Sequence, residues 1–178
     1  MLRRRAVVLS LGALGVASLM LAEVARMPVR IVYNPSPSAP QGLYLVVDPR
    51  PLRHGDLVLV ALPERWQAWA AGRGYIGREV PLIKRVVALS GDHVCALDGG
   101  VFVNGTRRAA ALDRDGSGRP MLVWRGCCGL REGEVFALMT DVPTSLDGRY
   151  FGPLDIDSVV GKLTPLWLSP NGRVRDVE

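Results

Sequence analysis

Cysteine, histidine and lysine are all scarce in this 178-residue chain, with three cysteines and two histidines. Three cysteines cannot build a disulfide scaffold, and none are spaced as Cys-x-x-Cys, which argues against a structural zinc site. His54 and His93 leave little material for a histidine-rich metal centre. Aromatic residues make up only 6%, against 20 Gly and 13 Pro. That balance suits short strands joined by many turns better than a helical bundle. The phosphate-cradling patterns G-x-x-x-x-G-K-[ST] and G-x-G-x-x-G are both absent, so nucleotide binding has no motif behind it, and nothing here requires a cofactor.

What is present is a half-apolar chain, 48% hydrophobic and 22% charged, which a disordered chain would not be. Its net charge is +5. Apart from Arg3, Arg4 and Arg5 the arginines are scattered, and without a basic stripe nucleic acid is not an expected partner. Arginine is used nearly everywhere, and lysine survives only at Lys84 and Lys162.

Behind the basic tip, Ala6–Ala22 runs 17 residues without a charge. As a helix it would reach about 25 Å, at the short end for a hydrocarbon core of about 30 Å. The preceding arginines predict a cytoplasmic N-terminus and export of everything that follows. Glu23 and Arg26 interrupt any A-x-A cleavage site, so a retained transmembrane signal anchor over residues 1–25 is favoured over a cleaved signal peptide.

Residues 26–178 read as one mainly β domain. Leu43–Val47, Leu57–Ala61, Leu82–Leu89, Val94–Leu97, Val101–Val103, Met121–Trp124, Val135–Met139 and Val159–Leu163 are predicted strands. Gly55-Asp56, Gly91-Asp92 and Gly133-Glu134 repeat one turn chemistry ahead of three of these runs. Asp98-Gly99 is a hairpin signal. Glu64–Ala71 reads as one or two helical turns.

Three segments carry chemistry. In Asn34–Pro40 three prolines stiffen a backbone that presents Ser36 and Ser38, although composition alone would make it a linker. Lys84 shares a strand face with Leu82, Val86 and Ala88, where burial lowers an amine's pKa. A neutral amine can take a proton from a serine hydroxyl; otherwise the stem crosses apolar surface and the ammonium reaches water. Thr144–Pro153 packs Ser145, Asp147, Arg149 and Tyr150 between turn residues, and could equally be a capped surface loop with an exposed ion pair.

Taken in order, Ser36-Pro37-Ser38-Ala39-Pro40, Lys84–Asp92 and Ser145–Pro153 resemble the boxes of type I signal peptidases. The continuation Gly42-Leu43-Tyr44 is similar to the TraF branch, the conjugative-transfer peptidases. The resemblance implies a signal-peptidase-like antiparallel β domain outside the membrane with a Ser–Lys dyad. Ser38 would be the nucleophile and Lys84 the general base. Ser36 would join the Ser38 N–H in an oxyanion hole, and Ser145 would orient the lysine, with Asp147 and Arg149 in support. The family's usual Gly-Asp-Asn is here Met139-Thr140-Asp141, so Asp141 receives no role. The implied substrate is a conjugative pilin precursor, trimmed and in one variant cyclised. The implied location is a bacterial inner membrane with the domain in the periplasm, among other conjugative transfer or type IV secretion components. In that oxidising compartment Cys95 has Cys127 and Cys128 as candidate disulfide partners, with three buried thiols as the alternative. A general signal peptidase, and a non-enzymatic anchored β module of a secretion assembly, are the rival readings.

Overall fold

The computed structural model describes residues 10–18, 20 and 31–170. The chain divides into two units, residues 1–30 and 31–178. In the first, residues 10–18 and 20 are helical. No helix among the described residues is long and apolar enough to cross a membrane. The basic tip and both ends of the expected anchor lie outside the described residues.

The second unit runs β1 (Ile31–Asn34), β2 (Gly42–Val47), β3 (Leu57–Val60), α1 (Glu64–Gly72), β4 (Leu82–Ala88), β5 (His93–Leu97), β6 (Gly100–Val103) and β7 (Thr106–Ala110). It continues with β8 (Gly126–Gly129), β9 (Glu134–Leu138), α2 (Gly148–Phe151), β10 (Leu154–Asp155), a 3-10 turn at Ile156–Ser158 and β11 (Val159–Leu168). A seven-stranded sheet has the order β1-β2-β11-β3-β4-β9-β10, and a four-stranded sheet the order β7-β6-β5-β8. Every strand pair is antiparallel. The large sheet supports two apolar clusters, one around Val58, Val60, Val86 and Phe151, the other around Tyr44, Leu59, Ile83 and Met139. A third cluster joins Val94 and Val101 of the small sheet to Phe136 and Leu138 of β9.

The repeated turns have one construction. Gly55, Gly91 and Gly133 sit at φ 87°, 91° and 83°, where other residues are strained. Each following acid reaches back to a backbone N–H three residues earlier: Asp56 to Arg53 at 2.9 Å, Asp92 to Leu89 at 2.8 Å, Glu134 to Arg131 at 2.8 Å. The carboxylate thereby satisfies a donor that the turn would leave open. Asp98 and Gly99 both have positive φ, as a two-residue hairpin between β5 and β6 requires. Asn104-Gly105 makes the same turn between β6 and β7. That Asn-Gly signal was available in the sequence and points to β7.

Some expectations fail. Met121–Trp124 is irregular, not a strand. Its N–H groups at Met121 and Trp124 bond Asp113 O and Arg149 O in two different segments, while Met121 and Val123 pack on one cluster and Trp124 on another. β1, β7, β8 and β10 were not foreseen, and β7 and β8 carry no buried residue at all. Cys95 in β5 stands opposite Cys127 in β8, and the two are disulfide-bonded. Cys128 is free and half-buried, and burial pushes its thiol pKa up.

Gly42 opens β2 where β11 passes closest. A Cβ there would lie 2.1 Å from the Trp167 carbonyl oxygen and 2.9 Å from Leu168 Cα, both backbone atoms that cannot rotate away. Gly42→Ala is expected to cost about 1–3 kcal/mol by overpacking, read as a lower thermal midpoint. Gly72→Ala, which meets nothing within 4 Å, is expected to leave the midpoint unchanged or raise it.

Candidate active site

The serine segment is shaped by a residue the sequence left without a role. Asn34, buried at the end of β1, donates through Nδ2 to the carbonyls of Ser36, Ala39 and Pro40 at 3.0, 3.1 and 3.1 Å. Its Oδ1 accepts from the Ser36 N–H at 3.0 Å. One side-chain amide thus organises a run whose prolines can donate no backbone hydrogen bond. An Asn two residues before a serine in a Pro-rich turn is a local Asx signal that could have found it. Ser36 is exposed and Ser38 half-buried. Their hydroxyl oxygens are 2.8 Å apart, and the Ser38 N–H donates to Ser36 Oγ at 3.2 Å. Anything that takes up both donors must displace this internal bond.

Lys84 lies in β4 opposite Val58 and is 3% exposed. Leu82, Val86 and Ala88 on its face are buried too. Its Nζ donates to Ser145 Oγ at 2.8 Å. Burial lowers the amine's pKa to about 8, against the Asp147 carboxylate, which raises it, and with the Arg149 guanidinium, which lowers it further. An amine of pKa 8 is about one-tenth neutral at pH 7.

Ser145 is itself buried, with its N–H on the Val142 carbonyl at 3.0 Å. The segment that carries it is tied by Asp147 and Arg149, which are 0% and 1% exposed in their side chains. Arg149 makes a two-pronged pair with Asp147, Nε to Oδ1 and an amino group to Oδ2, each at 2.8 Å. The same guanidinium donates to the carbonyls of Met139 and Val142 at 2.8 Å and of Pro143 at 2.9 Å. Asp147 also accepts the Met139 N–H at 2.9 Å. This is not an exposed pair on a capped loop. Its charges are matched on nearly every side, as burial demands.

Ser36, Ser38 and Lys84 line one cavity of about 310 Å³ with Leu82, Thr144 and Leu146. The hydrogen bond of the Lys84 amine among the described residues runs to Ser145, not to Ser38. Asp141 is exposed, accepts from Thr140 Oγ1, and does not line the cavity. Among the described residues no group of three or more His, Cys, Asp or Glu could hold a metal ion. The arrangement offers a serine hydroxyl, a desolvated amine and an apolar recess in one place.

Removing one partner of a buried ion pair strands the other charge, at about 3–5 kcal/mol. Arg149→Met is therefore expected to destabilise the domain by that order in chemical denaturation. It should also loosen Met139–Ser145 enough to raise amide exchange there before global unfolding.

The signal peptidase, peptidase S26, family pattern matches residues 3–167. A plasmid transfer protein TraF of Escherichia coli is 37% identical over 163 residues, 85% of this chain and 90% of its own length. A conjugal transfer protein TraF of Agrobacterium fabrum is 34% identical over 86% of this chain and 93% of its own. A probable conjugal transfer protein TraF of Sinorhizobium fredii is 37% identical over 72% of each. Among solved structures, a signal peptidase I from Enterococcus faecalis superposes with a TM-score of 0.37 at 21% identity, covering 63% of this chain and 96% of that one. With three TraF proteins matched along most of its length, the chain belongs to the peptidase S26 signal peptidases, in their TraF-like branch.

Proposed function

We propose that the chain is a serine endopeptidase in which Ser38 attacks and Lys84 acts as general base. The observation that supports this most is the buried Lys84 amine, lowered to about 8, in the same cavity as Ser38. A lysine kept for its charge alone would gain nothing from such burial.

In the proposed sequence, neutral Lys84 Nζ accepts the Ser38 hydroxyl proton as Oγ attacks the scissile carbonyl carbon. The oxyanion takes the Ser38 N–H and the Ser36 hydroxyl as donors, which the loop now bonds to each other. The protonated amine then passes its proton to the departing amine, and the C–N bond breaks. Water, deprotonated by the same lysine, hydrolyses the acyl-enzyme. If a substrate amine attacks instead, the product is cyclic and lighter by one water. Ser145 fixes the amine's direction, and Asp147 with Arg149 fixes Ser145.

The substrate we propose is a preprotein of a conjugative apparatus, a pilin precursor, since the similar proteins are named for conjugal or plasmid transfer. Residues 1–25 would anchor the chain in the inner membrane, with the domain periplasmic beside other transfer or type IV secretion components. Tethering the nucleophile near the bilayer raises its effective concentration at a cleavage site just outside a substrate's apolar segment.

Ser38→Ala is expected to abolish cleavage of the precursor with the thermal midpoint unchanged. Ser36→Ala should keep residual turnover, slower by about 10²–10³, because the Ser38 N–H remains. Equal loss in both variants would contradict the separate roles.

Lys84→Arg is expected to be inactive, because guanidinium keeps its proton, while Lys162→Arg stays active. Below pH 8 the neutral fraction of Lys84 rises tenfold per pH unit, so kcat/KM should climb with that slope and level off above about 8. A flat profile from pH 6 to 9 would contradict the assignment.

A further inference from the structure

A second cavity, of about 500 Å³, adjoins the first and takes no part in the chemistry above. α1 forms one wall with Arg65, Trp66 and Trp69, and the irregular segment Leu122–Arg125 forms the other. Tyr150 lines both cavities, and Met121, next to Leu122, lines the first. The two hollows therefore share Tyr150 as a common wall.

Three features describe what would fit. The floor is aromatic: Trp66 lies 5.8 Å from Trp69 and 5.1 Å from Phe151, ring centre to ring centre. The Trp66 indole N–H is buried without a hydrogen-bond partner among the described residues. The rim is basic: Arg65 and Arg125 are exposed, and no acid among the described residues lines the hollow. Finally, Leu122 and Val123 make no backbone hydrogen bond among the described residues, although the segment is pinned at Met121 and Trp124. An unpaired stretch of backbone beside an apolar trough can take up an extended chain, with backbone bonds giving affinity and side-chain pockets giving selectivity.

We infer that the groove between α1 and Leu122–Arg125 is an additional recognition site for an extended polypeptide segment carrying apolar and acidic side chains. Its occupant is a stretch of the substrate outside the residues at the scissile bond, which rests on the peptidase reading above. The trough holds an apolar side chain against Trp66 and Trp69, and Arg65 and Arg125 pair with the acids. Anionic lipid would also meet tryptophan and arginine. A concave site beside the catalytic cavity, with free backbone groups, fits a chain better than a flat surface.

The test is binding by the full-length Ser38→Ala chain in micelles, where turnover cannot interfere. The probes are two fluorescein-labelled twelve-residue peptides, of Ser-Leu-Glu-Ala and Ser-Leu-Lys-Ala repeats, followed by anisotropy. The glutamate peptide should bind at least tenfold tighter. Arg65→Glu with Arg125→Glu, two exposed exchanges, should reverse the order. Equal binding of the two peptides, or a preference that survives the exchange, overturns the inference. So do phosphatidylglycerol vesicles that lose binding on the same exchange when the peptides do not. Cleavage of the pilin precursor by the chain with Ser38 is scored separately. A chain that keeps the peptide preference but cleaves nothing overturns the peptidase reading and leaves the groove's selectivity standing.

Discussion

The buried pair of Asp147 and Arg149 is the constraint on which the candidate site depends. Two opposite charges with side chains at 0% and 1% exposure are expensive to bury. The expense is offset only because each remaining polar atom finds a partner. The partners are the consequence that matters: carbonyls at Met139, Val142 and Pro143, which the guanidinium gathers into one tight segment. That segment ends in Ser145, and Ser145 holds the Lys84 amine. An apolar pair of the same volume could fill the space, but it could not specify where those carbonyls lie.

The same pair also sets the electrostatics of Lys84. Asp147 favours the charged amine and Arg149 disfavours it, so the ion pair partly cancels itself as seen from Nζ. Burial then decides the outcome, and the pKa falls to about 8. Asp147 alone pulls the lysine's pKa upward, and Arg149 opposes that pull. The arginine thus does two things at once. It organises the backbone around Ser145, and it opposes the upward pull of Asp147 on the Lys84 pKa.

Much of this was legible in the sequence because it is local. Gly-acid turns, the Asp98-Gly99 hairpin and the alternation that buries Lys84 with Leu82 and Val86 all follow from neighbours in the chain. The runs that failed are those whose neighbours are distant. Met121–Trp124 has the apolar composition of a strand, but it divides its side chains between two clusters and pairs with no strand among the described residues. β8, Gly-Cys-Cys-Gly, forms because β5 lies alongside it, with the Cys95–Cys127 bond across the pair. The family resemblance led to the expectation that Ser36, Ser38 and Lys84 lie together with Ser145 on the amine, which is their placement here. Arg149 was expected beside Asp147 in support, but the burial of the pair was not legible, since an Asp–Arg pair two residues apart looks the same in sequence whether exposed or buried. Asn34 was the avoidable omission, because all its partners lie within six residues.

The central claim is that burial makes Lys84 the base, and its titration tests this most directly. The chain has only two lysines, Lys84 and Lys162. Lysine labelled with carbon-13 at Cε therefore gives two signals in micelles, and Lys162→Arg identifies the one belonging to Lys84. The account predicts that this signal titrates at about 8 and that kcat/KM rises with the same midpoint. A Lys84 signal that titrates at the ordinary lysine value, about 10.4, while the rate has already levelled off, would contradict it.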